Sequence, residues 1–274
     1  MADGEGAALR IAIPGAAGKM GRALIKVLGE TPGVQLVAAV ERPGHPEIGK
    51  DAGILAGVAP NRVPLTADLD AAFDLADTVI DFTTPASTAW IAGRAAEKGV
   101  ALVVGTTGLG ATERKAVERA AQAVPVVLSP NMSVGVNLLF RLVEIATASL
   151  GDAYDVEIVE AHHRLKRDAP SGTALRLAEK IAGALGRDLG AVANYGRKGE
   201  IGARPDKEIG IQTVRGGDVV GEHTAYFLGL GDRIEITHRA STRETFARGA
   251  VRAALWLAEV DPGLYDMQDV LNLR

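Results

Sequence analysis

An α/β fold in two parts is what the sequence predicts. The first part is a parallel sheet with helices on both faces, and the second is an α+β domain with a mixed, largely antiparallel sheet. Three observations point there. Short apolar runs alternate with segments of helical spacing from Leu9 to Leu128, the pattern of successive β-α-β units. A glycine-rich turn, Gly15-Ala16-Ala17-Gly18-Lys19-Met20-Gly21, joins the first run to the first helix. Late in the chain, three strand-like segments follow one another across short Gly/Asp turns, which reads as antiparallel hairpins.

Leu9 to Pro14 is a buried-strand candidate, and Met20, Leu24, Val27 and Leu28 then recur at helical spacing until Gly29 and Pro32. Val34 to Val40 is the next strand, followed at once by Glu41-Arg42. Strand, glycine-rich turn, helix, strand and terminal acid make a Rossmann-like dinucleotide-binding unit. The glycines let the backbone approach a pyrophosphate at the helix N-terminus, and Glu41 is placed to accept hydrogen bonds from ribose hydroxyls. The spacing is G-x-x-G-x-x-G, a variant with Ala17 where the common pattern has its second glycine; the alternative is a plain strand-to-helix turn. A P-loop is excluded, because Gly18-Lys19 runs into Met20 and not into Ser or Thr. Arg42 could pair with a 2′-phosphate, so both NADH and NADPH stay open.

From Thr78 the alternation continues. Thr78 to Phe82, Ala101 to Val104 and Val126 to Leu128 read as strands, with helices from Ala86 to Lys98 and from Ala111 to Ala123. These strands end in small-polar loops: Asp81-Phe82-Thr83-Thr84-Pro85, Gly105-Thr106-Thr107-Gly108 and Ser129-Pro130-Asn131-Met132. Ligands of open parallel sheets lie across the carboxyl ends of the strands, so the three loops are expected to line the cleft of a nicotinamide cofactor.

Val134 to Leu150 has helical spacing and bridges into the second part; Asp155 to Glu160 is a strand, and a helix is expected from about Thr173 to Leu185. Gly186 to Lys207 shows no periodicity and reads as a long surface loop. Ile209 to Arg215, Val219 to Leu228 and Arg233 to Ser241 are the three late strands, and Phe246 to Glu259 closes the pattern as a helix. In the last strand Ile234 and Ile236 alternate with Arg233, Glu235 and Thr237, so one face of the sheet is expected to be buried and the other offered to a partner subunit.

Between strand and helix lies the densest chemistry in the chain, Glu160-Ala161-His162-His163-Arg164-Leu165-Lys166-Arg167-Asp168-Ala169-Pro170-Ser171-Gly172-Thr173, with two of the five histidines. Ser171 can cap the helix, leaving the Gly172 and Thr173 amides to hold a carboxylate. Lys166 brings a charge and a proton, and a histidine suits proton transfer near neutral pH. Neighbouring residues on a strand point opposite ways, so His162 and His163 should differ in role. Glu160, His162 and His163 match no common zinc spacing, and no metal is expected.

The 274 residues suggest about two domains, and 47% apolar content supports a substantial core. A net charge of −4 argues against a nucleic-acid surface or an anionic membrane. The absence of cysteine excludes disulfides, thiolate metal sites and the cysteine nucleophile of acylating semialdehyde dehydrogenases. Met1 to Ala8 is unlike a signal peptide. No apolar run is expected to reach the ~20 residues of a membrane span, so a cytoplasmic protein is expected.

The sequence resembles the dihydrodipicolinate reductase (4-hydroxy-tetrahydrodipicolinate reductase) family of the lysine and diaminopimelate pathway. The resemblance rests on Glu160-Ala-His-His-Arg-x-Lys-x-Asp-Ala-Pro-Ser-Gly-Thr173, together with Gly15-x-x-Gly-x-Met-Gly21, Asp81-Phe82-Thr83, Gly105-Thr-Thr-Gly108, Asn131-Met-Ser-Val-Gly-Val-Asn137 and Gly221-Glu-His-Thr224. It implies hydride transfer from NADH or NADPH to a small cyclic dicarboxylate, with His162 as catalytic acid/base and Lys166 as proton donor. By the same resemblance His163, Gly172 and Thr173 contact substrate carboxylates. Gly15, Ala16, Ala17, Gly18, Lys19, Met20, Glu41, Gly105, Thr106, Thr107, Ser129, Pro130, Asn131 and Met132 contact the cofactor, with Arg42 beside them. Thr84 departs from relatives that carry a basic residue there. The family also implies a homotetramer built through the second sheet and a C-terminal helix that returns to the first domain. The expected domains are therefore 1–132 with 244–274 for the dinucleotide, and 133–243 for substrate binding and oligomerisation.

Overall fold

A computed structural model describes residues 7–274; most of the N-terminal stretch Met1 to Ala8 lies outside the described residues. The chain divides into two compact units, one running up to Val134 and resuming at Arg243–Asn272, the other Gly135–Thr242. The first unit opens with β1 (Leu9–Pro14), α1 (Lys19–Glu30), β2 (Val34–Val40), α2 (Ala52–Ala56), β3 (Leu65–Thr66) and α3 (Leu69–Leu75). It continues with β4 (Thr78–Asp81), α4 (Pro85–Lys98), β5 (Ala101–Val104), α5 (Ala111–Ala120) and β6 (Pro125–Leu128). The second unit holds most of α6 (Val134–Leu150), then β7 (Asp155–His162), α7 (Gly172–Ala184), α8 (Leu189–Val192), β8 (Ala193–Asn194), β9 (Ile209–Arg215), β10 (Gly221–Leu228) and β11 (Arg233–Ala240). The chain then returns with α9 (Glu244–Leu257), β12 (Gly263–Tyr265) and α10 (Met267–Val270).

The first sheet is parallel throughout, in the order β12-β6-β5-β4-β1-β2-β3. Its strands are apolar at nearly every position because both faces are covered. Ile11, Ile13, Ile80, Val103 and Val127 enter a core shared with α1 and α9, whereas Ala12, Val79, Leu102, Val104 and Val126 enter the opposite core. Each fully buried Leu or Ile, such as Leu24 and Ile80, contributes about 1.5–3 kcal/mol over its exposed state. Residues 43–77 and the chain end show no period in sequence because their elements α2, β3, α3, β12 and α10 are at most seven residues long.

The second sheet is mixed, in the order β11-β10-β7-β9-β8. β10 pairs antiparallel with both β11 and β7, while β9 runs parallel to β7 and β8. The β10–β11 hairpin is present, but β9 and β10 form none: β7 lies between them. The connector explains why. Its backbone grips the end of β7, with the His163 amide donating to Val219 O (2.7 Å), the Gly216 amide to His162 O (3.0 Å) and the Arg164 amide to Gly217 O (3.2 Å). The parallel register also buries Ile209 and Ile211 beside Val156, Ile158, Ala225 and Phe227, under α6 and α7.

Three further expectations are corrected. The stretch 186–207 is not a plain loop, since it contains α8 and β8 and is held by ion pairs. Arg197 donates to Glu157 Oε1 (2.6 Å) and also meets Glu208; Arg204 donates to Glu157 Oε1 (3.1 Å) and Asp155 Oδ1 (2.6 Å). Charged residues spaced without a period hid this tertiary anchoring. Residues Val134–Ala153 form a 20-residue stretch of mean hydropathy 1.4, which reaches membrane-spanning length and apolarity. One face, Val136, Leu139, Phe140 and Val143, packs in the second unit's core, while Leu138, Leu142 and Ile145 on the other are exposed. Finally, β11 has no fully buried face: Ile236 is half-buried, but Ile234 is 41% exposed on this edge strand.

Candidate active site

In the first unit, the residues named for a dinucleotide stand where β1, β2, β5 and β6 end. Gly15 has φ +69°, a left-handed conformation suited to glycine. A side chain on Gly21 would put its first carbon 2.4 Å from Gly15 O, so only glycine lets α1 pack into the turn. The Ala16 amide donates to Val40 O (3.0 Å), tying the turn to the end of β2. Gly18 caps α1 with no side-chain hydrogen bond, and Gly18 and Lys19 are exposed beside half-buried Ala17 and Met20. Glu41 is half-buried and accepts the Arg42 amide through Oε1 (3.1 Å), while Arg42 is exposed.

The neighbouring loops are organised from below by Asp81, which is fully buried. It accepts the Thr83 amide (2.8 Å), the Thr83 hydroxyl (2.6 Å) and the Thr88 hydroxyl (2.5 Å). Burial pushes its carboxyl up from the usual range despite these bonds. Gly105 lies against the Phe82 ring, where an added carbon would stand 2.3 Å away. Thr106 is buried and Thr107 exposed. Ser129 donates to Asn131 O (2.9 Å), and the Asn131 side chain accepts the Ser133 amide (2.9 Å). Pro130 is exposed, but the Met132 side chain is buried in the core, so only its backbone is left for a ligand. Thr84 serves as the N-cap of α4.

In the second unit, the cluster gathers around the C-terminal end of β7. Glu160 and His162 are two residues apart on one strand and therefore share a face. Glu160 is fully buried and is met by five donors. Arg215 forks onto it from β9 (Nη1 to Oε2 and Nη2 to Oε1, both 2.7 Å), and the Ser171 amide (3.0 Å) and Thr213 hydroxyl (3.2 Å) also donate. His162 Nδ1 lies 2.6 Å from Oε2. Burial opposes the carboxylate charge, but the Arg215, His162 and Ser171 hydrogen bonds outweigh it and hold Glu160 at about 2. Burial also pulls His162 below its ordinary value, against the raising effect of Glu160.

His223, on β10, stacks edge-on against His162 with ring centres 5.1 Å apart. Its Nε2 meets the Ser171 hydroxyl at 2.9 Å, and that hydroxyl accepts the Ala174 amide (3.1 Å) as the cap of α7. Burial, then the proximity of His162, drives His223 down to about 3, so it is neutral at physiological pH. Lys166 Nζ pairs with Asp168 Oδ2 at 2.8 Å, which holds the Asp168 carboxyl below its usual range. Gly172 opens α7, and nothing stands within 4 Å of where its side chain would be. Half-buried Thr173 follows it, and half-buried His163 is the first residue past β7.

Every residue singled out in the 160–173 motif thus sits at one end of the second sheet. Sequence reasoning did not assign Arg215 or His223 to this cluster. His223 was within reach, as one of five histidines and part of Gly221-Glu-His-Thr224. Arg215 carried no local signal, because its role depends on β9 lying parallel to β7.

Residues 9–132 match the family model described as dihydrodipicolinate reductase, N-terminus, and residues 135–271 the one described as dihydrodipicolinate reductase, C-terminus. The 4-hydroxy-tetrahydrodipicolinate reductase of Alkalilimnicola ehrlichii is 55% identical over 264 residues, covering 96% of this chain and 99% of that protein. That of Geotalea daltonii is 52% identical over 266 residues, 97% of this chain and 100% of that protein. Among solved structures, the dipicolinate-bound dihydrodipicolinate reductase of Paenisporosarcina sp. TG-14 aligns with a TM-score of 0.75 at 26% identity, covering 96% of this chain and 98% of that one. GenD2 of gentamicin A biosynthesis, in complex with NAD, shares the fold at a TM-score of 0.59 and 16% identity, covering 100% of this chain and 93% of that one. With both units matched across their length, the chain belongs to the dihydrodipicolinate reductase family.

Proposed function

We propose that this protein catalyses the NADH- or NADPH-dependent reduction of 4-hydroxy-tetrahydrodipicolinate to tetrahydrodipicolinate in lysine and diaminopimelate biosynthesis. The observation that carries this reading is the grouping of His162, Lys166 and the α7 N-terminus at the end of β7, in a chain 55% identical to a reductase of that name.

The first unit fits a nicotinamide dinucleotide. The turn at Gly15 and Gly21 has no room for side chains, and the uncapped start of α1 offers amides to a pyrophosphate. Gly15, Ala16, Ala17, Gly18, Lys19 and Met20 would hold the phosphates, and Glu41 or Arg42 the adenosine ribose or its 2′-phosphate. Gly105 to Thr107 and Ser129 to Met132 would border the nicotinamide. When bound, the reduced nicotinamide supplies a hydride.

In the second unit, His163, Gly172 and Thr173 bind the substrate carboxylates, aided by the positive end of the α7 dipole. Hydride arrival leaves negative charge in the ring, and His162 neutralises it by giving up the proton on Nε2, with Lys166 as second donor. The second unit's sheet is the homotetramer interface in this reading. That is supported by apolar side chains this sheet leaves exposed, Val214 on β9 (51%) and Ile234 on β11 (41%). In this reading the protein works in the cytoplasm, where soluble biosynthetic enzymes act.

The test is an assay of NADH and NADPH oxidation with freshly generated substrate. Turnover with at least one cofactor is expected, and inactivity with both would reject the assignment.

A further inference from the structure

We propose that Glu160 is a positioning residue for His162: its buried carboxylate fixes the imidazole with the proton on Nδ1 and reserves Nε2 for the substrate. The proposal rests on the reading that His162 is the proton donor, and deepens it.

The geometry leads there in three steps. A carboxylate held by the Arg215 fork is ionised and can only accept, so the 2.6 Å contact requires a hydrogen on Nδ1 of His162. The neutral ring then carries no proton on Nε2, and the cationic ring carries its dissociable proton there. Finally, Glu160 cannot swing away, because Oε1 is tied to the Ser171 amide, Thr213 and Arg215 while Oε2 is tied to Arg215 and the ring. One carboxylate therefore sets both the tautomer and the direction of the imidazole, the service that a buried acid renders to a catalytic histidine in other folds.

The same ion pair reaches the second donor. Arg215 Nη2 also donates to Asp168 O (2.7 Å), and the Asp168 carboxylate holds Lys166 (2.8 Å). Glu160 and Arg215 thus anchor both ends of the segment that carries His162 and Lys166. A rival role is purely architectural, with Glu160 stapling the α7 N-terminus through the Ser171 amide. The two differ in what they do to the ring. The charged and titratable groups facing His162 are Glu160 on its own strand, Lys166 in the following loop, Arg215 on β9 and His223 on β10. Of these only Glu160 is anionic, so its neutralisation must make His162 harder to protonate.

The experiment uses the full chain with 15N-labelled histidine, the His162 signals being assigned by their loss in His162→Asn. In the wild type the neutral ring is expected as the Nδ1–H tautomer. In Glu160→Gln the protonation midpoint moves to lower pH, and the alkaline limb of kcat moves down with it. At neutral pH kcat falls at least ~10-fold, with KM for the dinucleotide unchanged. Glu160→Asp keeps the charge and is expected to restore the wild-type titration and most of kcat. A wild-type Nε2–H tautomer overturns the proposal even if Glu160→Gln does not fold. So does an unmoved titration in Glu160→Gln with a kcat loss uniform in pH. The tautomer and titration are read without substrate, so an inactive wild type would reject the proposed function and leave this inference to be judged on its own.

Discussion

A first carbon added to Gly221 would stand 3.0 Å from Nε2 of His162 and 3.4 Å from its Cδ2. Gly221 begins β10 beside the end of β7, and its missing side chain is what gives the imidazole room on that side. Gly221→Ala is therefore expected to shift the ring by a few tenths of an ångström and misalign its 2.6 Å contact with Glu160. Turnover should fall ~10-fold or more, while the urea midpoint changes little, since the added methyl needs only a few tenths of an ångström. Unchanged kinetics would show that the ring tolerates the displacement.

His162→Ala removes the proposed proton donor and leaves the first unit untouched. Turnover should drop by ~10² or more, with dinucleotide affinity, measured by quenching of protein fluorescence, nearly as before. Unchanged turnover would take His162 out of the chemistry.

Lys166→Ala is expected to impair both kcat and KM for the dicarboxylate, because one ammonium serves as charge and as proton donor in the proposed reaction. Normal kinetics would identify it as a solvated lysine paired with Asp168.

Gly21→Ala should act only on the cofactor side. Its added carbon would meet backbone at 2.4 Å, from Gly15 O, and 2.6 Å, from Ala16, so the turn itself must open, at about 1–3 kcal/mol. Dinucleotide affinity and thermal stability are both expected to fall, while the His162 titration stays at its wild-type position. A variant that binds dinucleotide normally would refute the role given to the turn.

Acid sensitivity has a defined sign. His223 titrates at about 3 when folded against 6.5 for the free side chain. Between those values the unfolded chain takes a proton that the folded one refuses, so stability falls as pH drops from 6.5 towards 3. Glu160 titrates at about 2 when folded against 4.5 free. Its contribution is present above pH 4.5 and is lost as pH falls towards 2. Urea midpoints followed by circular dichroism should decline through the first window in the wild type and more shallowly in His223→Gln. Parallel curves would mean that His223 is not the group responsible.

Strong periodicities made most of the fold legible. β1, β2, α1 and α6 show theirs in six residues or more, and the loops from Asp81, Gly105 and Ser129 do follow β4, β5 and β6 at the carboxyl ends of a parallel sheet. What stayed hidden was non-local. Nothing near Gly216-Gly217-Asp218 says that the connector straddles β7 and does not fold back on β9. Arg215, 55 residues from Glu160, becomes part of the His162 cluster only through that topology. Local chemistry was readable in the 160–173 motif; the partners that orient it were written into strand order.

The chain order of the first unit sets a schedule for synthesis. Ala247, Ala250, Val251, Ala253, Ala254 and Leu257 of α9 fill the core beneath Ile11, Ile13 and Ile80, yet they are translated after the whole of the second unit. The side of the parallel sheet that α1 and α9 share is therefore only partly covered on the ribosome until α9 emerges. The second unit can finish folding first, reversing the usual N-to-C order of domain maturation. A chain released after β11 but before α9 would hold every residue of the proton-donor cluster and an unfinished nucleotide fold, exposing apolar surface that chaperones capture.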